Sequence, residues 1–328
     1  MKIYLDNFEV LETPINPHIK HLEDTIKTTR SIQYDAQIGT IKIRGEIPLF
    51  PLFYSISNVT LNKTKSIDLD LSAIDLTQEM FNCVKLEGLD INEIFSIEQL
   101  LLSYFYITEN NILNELKNIK NHCNYNDLAI SGMEERDKVL KYKIGRDSPL
   151  KENTSLKKLI QNKNVLRLDG NKMLSEMQLL HILENIDLRG IEYIEEPFKD
   201  VNTWNSFVTN NDRYKNLEFA LDESFHEYKN QIDKILNLKT IIIKPSRDLA
   251  ISGLIKLSHE APDKSIVISS SFENEISLNT LIYLGSLFEN HHGLGTFEYM
   301  KDSFPRITTD RNKQLIQGYP LALNQIQT

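Results

Sequence analysis

The feature that most constrains the fold of this chain is a series of polar residues that follow short apolar segments at nearly constant spacing. The series is Lys143, Asp169, Glu195, Asp222, Lys244 and Ser269, so that the successive intervals are 26, 26, 27, 22 and 25 residues. Each interval accommodates one short buried strand, one helix of about a dozen residues and two loops. A repeat of this length indicates successive βα units, and the sequence therefore predicts a parallel barrel.

In a closed parallel barrel, the residues that end successive strands gather on one rim around a common cavity. The rim predicted here carries Lys143, Asp169, Glu195, Asp222 and Lys244. Carboxylates brought together without a cation repel one another, whereas a hard divalent ion allows all of them to stay ionised. The rim therefore predicts a metal site flanked by two ammonium groups.

Bulk composition limits the class of protein. A chain of 328 residues with 41% hydrophobic and 25% charged residues fits a globular protein of two domains. The net charge of −9, without clusters of Lys and Arg, argues against a nucleic-acid partner. Cys83 and Cys123 have no repeated spacing, which favours free thiols in a reducing compartment. Because the sequence shows neither a signal-peptide pattern nor a membrane span, we expect a cytoplasmic protein without a membrane partner.

The first part of the chain predicts a small antiparallel sheet followed by helices. Alternation over Thr40–Arg44 indicates a strand, which the two prolines after Glu46 are expected to stop, and Glu46 itself is expected to be a solvated loop carboxylate. Helical spacing predicts helices over Thr77–Leu86 and over Ser96–Tyr106, the second capped by Ser96. A further helix is predicted from Ile112 to Asn126.

The barrel is predicted to begin near Leu128, where an apolar strand and a turn follow that helix. A helical pattern follows each strand, over Leu150–Gln161, Leu174–Asn185, Val201–Asn211, Tyr228–Leu236, Leu249–Glu260 and Glu275–Glu289. A last strand is predicted at Gly293–Phe297, and the tail from Phe304 to Thr328 is expected to return to the N-terminal region.

The ordered motifs on these strands resemble those of the enolase superfamily, in its muconate-lactonizing-like branch. They are Lys141-Tyr142-Lys143, Asp169-Gly170-Asn171, Glu195-Glu196-Pro197, Asp222-Glu223-Ser224, Ile243-Lys244-Pro245, Ile268-Ser269-Ser270-Ser271-Phe272-Glu273 and Gly293-Leu294-Gly295-Thr296-Phe297. The resemblance is closest to the o-succinylbenzoate synthase family. It implies an α/β fold, a modified (β/α)7β TIM-type barrel with an α+β capping domain built from the N-terminus and the C-terminal tail. The predicted boundaries are 1–112 for the capping domain, 113–298 for the barrel and 299–328 for the returning segment.

The same resemblance implies the chemistry of the site. Asp169, Glu195 and Asp222 would hold Mg²⁺, with Mn²⁺ as an alternative, and the ion would stabilise the enediolate formed when a proton leaves the carbon beside a carboxylate. Lys143 is the predicted base, because Lys141 shares its face of the strand and, with the metal, should lower its pKa. Lys244 is predicted to act as a second acid or base, or as a cation facing the substrate.

Other residues are expected to support this site. Arg167 and Asn171 each lie two residues from Asp169, and we expect them to orient the base or the metal ligands. The serines at the end of the seventh strand are expected to bind a second carboxylate, and the glycines of the last strand to leave room for substrate; these residues are Ser269, Ser270, Ser271, Gly293 and Gly295. The pair His291-His292 is expected to lie on the surface or in a loop.

Three functions follow as alternatives. The first is Mg²⁺-dependent syn dehydration of a dicarboxylate, 2-succinyl-6-hydroxy-2,4-cyclohexadiene-1-carboxylate, to o-succinylbenzoate in menaquinone biosynthesis, as the resemblance implies. The second is an N-acylamino-acid racemase or dipeptide epimerase, against which the segment Gly293–Thr296 lacks the Asp-x-Asp motif that holds an amino group in those epimerases. The third is a non-catalytic barrel that binds a partner. The sequence leaves a monomer and a homo-oligomer equally open.

Overall fold

A computed structural model describes residues 1–15, 27–50, 58–69, 88–108, 119–129, 135–300 and 304–326. The described strands are β1 Lys2–Pro14, β2 Thr28–Ile38, β3 Ile41–Leu49, β4 Ser66–Asp68, β5 His122–Tyr125, β6 Asp127–Leu128, β7 Val139–Lys143, β8 Val165–Asp169, β9 Ile191–Glu195, β10 Phe219–Leu221, β11 Leu238–Ile243, β12 Ser265–Ile268, β13 His291–His292, β14 Thr308–Asp310 and β15 Leu315–Gln317. The described α-helices are α1 Ile91–Ile107, α2 Pro149–Gln161, α3 Glu176–Ile182, α4 Val201–Asn210, α5 Phe225–Tyr228, α6 Pro245–Asp248, α7 Ala250–Glu260 and α8 Glu275–Gly285.

The chain divides into two compact units. Unit 1 comprises Met1–Asn124, Ile243–Ala261 and Ile268–Thr328, and unit 2 comprises Tyr125–Ile242 and Pro262–Val267. The predicted fold class is confirmed: the protein is α/β, with a curled seven-stranded parallel sheet and an antiparallel sheet from the N-terminal region. The residue boundaries predicted for the domains stay a prediction.

Unit 1 contains the antiparallel sheet, in the order β3-β2-β1-β4. Strand β3 continues through Pro48, which lies opposite Ser31 of β2, so the expected stop after Glu46 was wrong. Since β3 is at the edge of the described sheet, a proline there interrupts fewer hydrogen bonds than it would in a central strand. Glu46 is fully buried rather than solvated, and its carboxylate accepts the N–H of Ser277 at 3.3 Å.

Helix α1 begins five residues earlier than predicted. The carboxylate of Glu93 accepts the N–H of Asp90, the residue that precedes the helix. Ser96, expected to be the cap, lies inside the helix with its hydroxyl 2.8 Å from the hydroxyl of Tyr34. The predicted helix Thr77–Leu86 lies outside the described residues.

A second sheet of unit 1 has the order β13-β5-β15-β14. Its strand β5 falls in the segment Ile112–Asn126, where a helix was expected; residues 109–118 lie outside the described part. Because Cys123 pairs with Ile316, almost two hundred residues along the chain, the local sequence pattern does not reveal this strand. The backbone of Gln325 forms a bridge with Ile43 of β3.

Unit 2 is organised by the seven-stranded sheet β12-β11-β10-β9-β8-β7-β6. The pairings from β6 through β11 are parallel. One face of the sheet packs on the helices through a large buried cluster that includes Leu140, Leu166 and Trp204. A separate buried cluster links four adjacent strands through Tyr193, Ala220, Ile242 and Val267.

One predicted barrel helix is replaced by two short turns. In place of a helix over Tyr228–Leu236, the chain forms the single turn α5 and a 3₁₀ turn at Ile232–Lys234. The side chain of Asn205 accepts the N–H of Leu236 and donates to the carbonyl of Lys234, and these contacts replace those of a continuing helix.

The final strand also differs from its prediction. Gly293 forms a parallel bridge with Ser269, but residues Gly295–Tyr299 form a 3₁₀ helix, so the strand ends where it was expected to begin. His292 is fully buried, its Nδ1 accepts the N–H of Ile268, and its Nε2 lies 2.8 Å from the carbonyl oxygen of Gly285. The surface placement expected for this histidine was wrong, because its ring connects β12 to the end of α8.

Candidate active site

The parallel register places three of the predicted residues level with one another in unit 2. Lys143 lies opposite Asp169, and Asp169 lies opposite Glu195. Lys141 lies opposite Arg167, two pairs earlier in the same ladder. Because side chains two residues apart share one face of a strand, both lysines face the same side as Asp169.

Lys141 is bound between two carboxylates. Its Nζ lies 3.0 Å from Asp169 Oδ2 and 2.8 Å from the carboxylate of Glu195. Lys143 is more distant, with its Nζ 3.9 Å from Asp169 Oδ2. Burial disfavours the charged form of Lys141, but Asp169 and Glu195 outweigh it and raise the pKa of Lys141.

The pKa of Lys143 shifts in the opposite direction. Burial lowers it, Asp169 acts against this change, and Lys141 adds to it. The direction agrees with the expectation from sequence, although burial rather than the neighbouring lysine is the largest cause. Lys141 is thus held as a cation, while Lys143 is the lysine that gives up its proton more readily.

A group of three carboxylates lies beside this pair. Ligand atoms of Glu195, Asp222 and Glu223 are all within 4.8 Å of one another, a spacing that one metal ion can bridge. Glu223 was absent from the predicted ligand set; its only sequence signal is its place directly after Asp222. Asp169, which was in that set, lies against Lys141 instead of within this group of three.

The charges of this site favour a divalent cation. Four carboxylates, those of Asp169, Glu195, Asp222 and Glu223, face two lysines, which leaves two negative charges when all are ionised. Burial and the neighbouring Asp169 raise the pKa of Glu195 well above its usual range. A bound divalent ion would offset the repulsion between these buried carboxylates, so the donor set and its charge fit a hard cation.

The two supporting residues have defined partners. Arg167 donates to both oxygens of Glu192, at 2.8 and 2.9 Å, and its guanidinium packs over the ring of Tyr193. Asn171 donates from Nδ2 to Asp169 Oδ1 at 2.8 Å, so it orients that carboxylate directly.

The turns after β8 and β9 approach closely at Gly170. A Cβ added there would lie 2.8 Å from the Cα of Pro197 and 2.9 Å from the carbonyl oxygen of Glu196. Both are backbone atoms, which cannot move aside without shifting the turn. Glycine at this position therefore allows Asp169 and Glu195 to end adjacent strands side by side.

The remaining predicted residues belong to unit 1. Lys244 precedes α6, and its N–H donates to Asp248 Oδ2 at 2.8 Å. Ser269 lies against Gly293, where an added Cβ would be 2.8 Å from the serine Oγ. This close approach favours glycine at position 293 whether or not the position leaves room for substrate. Gly295 begins the 3₁₀ helix that follows.

The serine loop after β12 is held within unit 1. The hydroxyl of Ser270 is hydrogen-bonded to that of Thr296, and the N–H of Ser271 donates to Glu273. The buried hydroxyl of Ser271 has no hydrogen-bond partner among the described residues. It borders a small cleft lined by Thr29, Pro48, Leu49, Phe50, Ser246, Arg247, Ser271 and Phe272.

Comparison with known proteins finds matches only at the level of structure. No family model and no curated protein matches the chain. The dipeptide epimerase of Enterococcus faecalis V583, complexed with Mg and the dipeptide L-Leu-L-Tyr, gives a TM-score of 0.71 at 15% identity over 98% of this chain and 99% of that one. A muconate lactonizing enzyme from Pseudomonas fluorescens, complexed with muconolactone, gives 0.70 at 15% identity over 97% and 95%. The o-succinylbenzoate synthase of Thermosynechococcus elongatus BP-1, complexed with Mg in the active site, gives 0.62 at 20% identity over 89% and 92%.

These likenesses show the fold of the chain. It is the α/β fold found in an epimerase, a lactonizing enzyme and a synthase, and the likeness extends over most of the chain in each case. No helix in the part of the chain that the structure describes is long and apolar enough to cross a membrane.

Proposed function

We propose that this protein is an enzyme of the enolase superfamily that removes a proton from a carbon beside a substrate carboxylate. The observation that carries this proposal is the lysine pair at the end of β7. Lys141 is held as a cation between Asp169 and Glu195, while burial lowers the pKa of Lys143, two residues along on the same face. One face of a strand thus offers a fixed positive charge and a candidate base side by side.

The proposed cofactor is Mg²⁺, with Mn²⁺ as an alternative. Asp169, Glu195 and Asp222 are the proposed ligands from the sequence motifs, and the geometry adds Glu223 as a further candidate. A bound ion would offset the negative charge that develops on the substrate carboxylate as the proton leaves. Asn171 orients Asp169, and Arg167 links β8, the strand that ends in Asp169, to Glu192 of β9.

The proposed reaction is the syn dehydration of 2-succinyl-6-hydroxy-2,4-cyclohexadiene-1-carboxylate to o-succinylbenzoate. Lys143 takes the proton from the carbon beside the ring carboxylate and, on the same face of the ring, returns that proton to the departing hydroxyl group, which leaves as water. This substrate rests on the sequence motifs, above all the segment Ile268–Glu273 and the glycines near Gly293. Lys244 is proposed as a cation that faces the substrate, and Ser269, Ser270 and Ser271 as the residues that receive its second carboxylate; both roles rest on the same motifs.

The second candidate is an N-acylamino-acid racemase or dipeptide epimerase. It is supported by the likeness in fold to a dipeptide epimerase that was solved with Mg and a dipeptide. In that reaction Lys143 and Lys244 would both be obligatory acid–base groups. In dehydration Lys244 would serve only as a cation, so a change to arginine should preserve part of the activity.

The test is an assay of the purified protein with Mg²⁺ on both substrate classes. Dehydration is followed by loss of diene absorbance, and racemisation of N-succinyl amino acids or epimerisation of dipeptides by optical rotation and by deuterium uptake from D₂O. We expect dehydration to dominate, to be lost in Asp222→Asn and to persist in the control Asp233→Asn, which changes an exposed carboxylate of the same unit. Inversion with deuterium uptake but without dehydration would instead support the racemase, and inactivity on every substrate would contradict the proposal.

A further inference from the structure

The carboxylate that directly follows Glu195 is used in a different way from the carboxylates of Glu195, Asp222 and Glu223, which we call the acidic group. Glu196 is fully buried. Its Oε1 accepts the backbone N–H groups of Asp222, at 2.9 Å, and of Ser224, at 2.8 Å. Its Oε2 accepts the hydroxyl of Ser224 at 2.8 Å. One side chain from the end of β9 therefore makes three hydrogen bonds to the turn that follows β10.

That turn carries two members of the acidic group. The N–H groups held by Glu196 belong to Asp222 and Ser224, which lie on either side of Glu223. Fixing both of them fixes the backbone from which the carboxylates of Asp222 and Glu223 project. Because metal affinity depends on ligands being held in place before the ion arrives, this contact should affect binding.

The backbone of Glu196 is fixed as well. It adopts a left-handed conformation with φ of 42°, which is uncommon for a residue with a side chain. Its N–H donates to the carbonyl oxygen of Ala220, and its own carbonyl accepts the N–H of Lys172 at 2.7 Å. Glu196 thus connects the turns after β8, β9 and β10, the three strands that end in Asp169, in Glu195 and just before Asp222.

We propose that Glu196 is a positioning residue for the metal ligands: it does not bind the ion but sets the geometry of Asp222 and Glu223 through the backbone of their turn. The inference rests on the proposed function only in requiring that a divalent ion binds at the acidic group. It holds for either of the two candidate reactions.

The chemistry of the contact predicts how substitutions should rank. In Glu196→Gln the amide oxygen still accepts both N–H groups, and the amide NH₂ can donate to the hydroxyl of Ser224, so the turn should keep its shape. Glu196→Ala removes all three hydrogen bonds and leaves two buried N–H groups without their acceptor. Ser224→Ala removes only the hydroxyl contact.

Unit 2 offers a matched control for the loss of such a contact. Glu152 of α2 is buried, and its carboxylate accepts the N–H groups of Gly145, Arg146 and Asp147 at 2.8 to 2.9 Å. It therefore makes the same number of hydrogen bonds to another turn of the unit, but none to the acidic group. Glu152→Ala should cost stability in the same way without changing the geometry of Asp222.

The experiment measures Mn²⁺ affinity of the full chain by calorimetry and by the spin resonance of free Mn²⁺, together with the midpoint of thermal unfolding. For Glu196→Ala we expect an affinity loss of about 10- to 100-fold, the usual effect of removing a residue that orients metal ligands. Glu196→Gln and Glu152→Ala should stay within about twofold of the original affinity by the same reasoning. Hydrogen exchange of the backbone at Asp222–Ser224 should accelerate in Glu196→Ala and not in Glu152→Ala.

The outcomes separate this inference from the proposed function. If the original protein binds no Mn²⁺, or if Asp222→Asn binds it equally well, the metal site itself is wrong. If the original protein binds Mn²⁺ and Asp222→Asn weakens that binding, but Glu196→Ala binds Mn²⁺ normally, only the positioning role is overturned. Should Glu196→Ala fail to fold, Ser224→Ala decides: a loss of about 2- to 10-fold, as for one hydrogen bond, supports the role, and an unchanged affinity overturns it.

Discussion

At the scale of single residues, the two lysines of β7 show how neighbours on one face of a strand acquire different properties. Both are partly buried, with 23% of the Lys141 side chain and 30% of the Lys143 side chain exposed. Lys141 contacts two carboxylates within 3.0 Å, whereas Lys143 approaches one at 3.9 Å. Burial therefore dominates at Lys143, and charge pairing dominates at Lys141.

This difference leads to a prediction for Lys143→Ala. Turnover should fall by about 10²- to 10⁴-fold, the usual contribution of a positioned base, because no other group would take the proton. Mn²⁺ affinity should change little, since Lys143 is not a proposed ligand. Steady-state rates and calorimetric titration measure the two quantities.

The control for this prediction is Lys199→Ala, which removes an exposed lysine of the same unit. It should leave both quantities unchanged. Retention of near-normal turnover in Lys143→Ala would show that a different group is the base, and loss of metal binding would show that Lys143 helps to form the metal site.

At the scale of elements, two buried carboxyl groups connect helices and strands within unit 1. Glu98 of α1 accepts the N–H groups of Ile251 and Ser252 at the start of α7. Glu46 of β3 accepts the N–H of Ser277 in α8 at 3.3 Å and the side-chain amide N–H of Gln33 at 3.4 Å. Burial raises the pKa of each to about 7, and the hydrogen bonds lower it less than burial raises it.

These shifts predict how the stability of the protein depends on pH. A carboxyl whose pKa is higher in the folded state binds its proton more tightly there than in the unfolded chain. Its contribution to the free energy of unfolding is therefore fully present below about pH 4.5 and declines as pH rises towards 7. The decline is at most about 3 kcal/mol for each group. In the double variant Glu46→Gln/Glu98→Gln this part of the pH dependence should disappear.

Urea unfolding at about pH 5 and about pH 8 measures the effect as a difference between the original protein and the double variant. Glu9→Gln, a change of an exposed carboxylate on β1, serves as the control and should follow the original protein. An identical pH dependence in the double variant would show that these carboxyls are not responsible.

At the scale of the whole molecule, the apolar core and the candidate metal site are formed by different residues. The core of unit 2 consists of apolar side chains such as Leu140, Leu166 and Trp204. The antiparallel sheet of unit 1 buries residues of its own, among them Ile3, which is fully buried. The proposed ligands, by contrast, are carboxylates at strand ends that repel one another.

Chelation should therefore abolish turnover without unfolding the protein. We expect EDTA to lower the thermal midpoint only by the amount that ion binding adds, and Mg²⁺ to restore both activity and midpoint. Circular dichroism and the dehydration assay measure the two properties. Activity that persists in EDTA, or a protein that unfolds in it, would contradict the proposed role of the metal.

The sequence by itself determined the parallel sheet and the face on which its polar residues lie. This was possible because a strand alternates its side chains with a period of two and a βα unit has a nearly constant length, both of which are local properties. Lys141, Lys143, Asp169 and Glu195 could be placed together for that reason. The helices α2, α4 and α7 followed from local spacing in the same way, each with one end that differs by one residue.

Tertiary structure alone decided the features that depend on partners far along the chain. The burial of Glu46 needs Ser277, strand β5 needs β15, and the buried ring of His292 needs the carbonyl of Gly285 and the N–H of Ile268. The difference between Glu195 and Glu196 is of the same kind. The two carboxylates are adjacent and chemically identical, and only the turn that packs against Glu196 makes one a candidate metal ligand and the other the support of that turn.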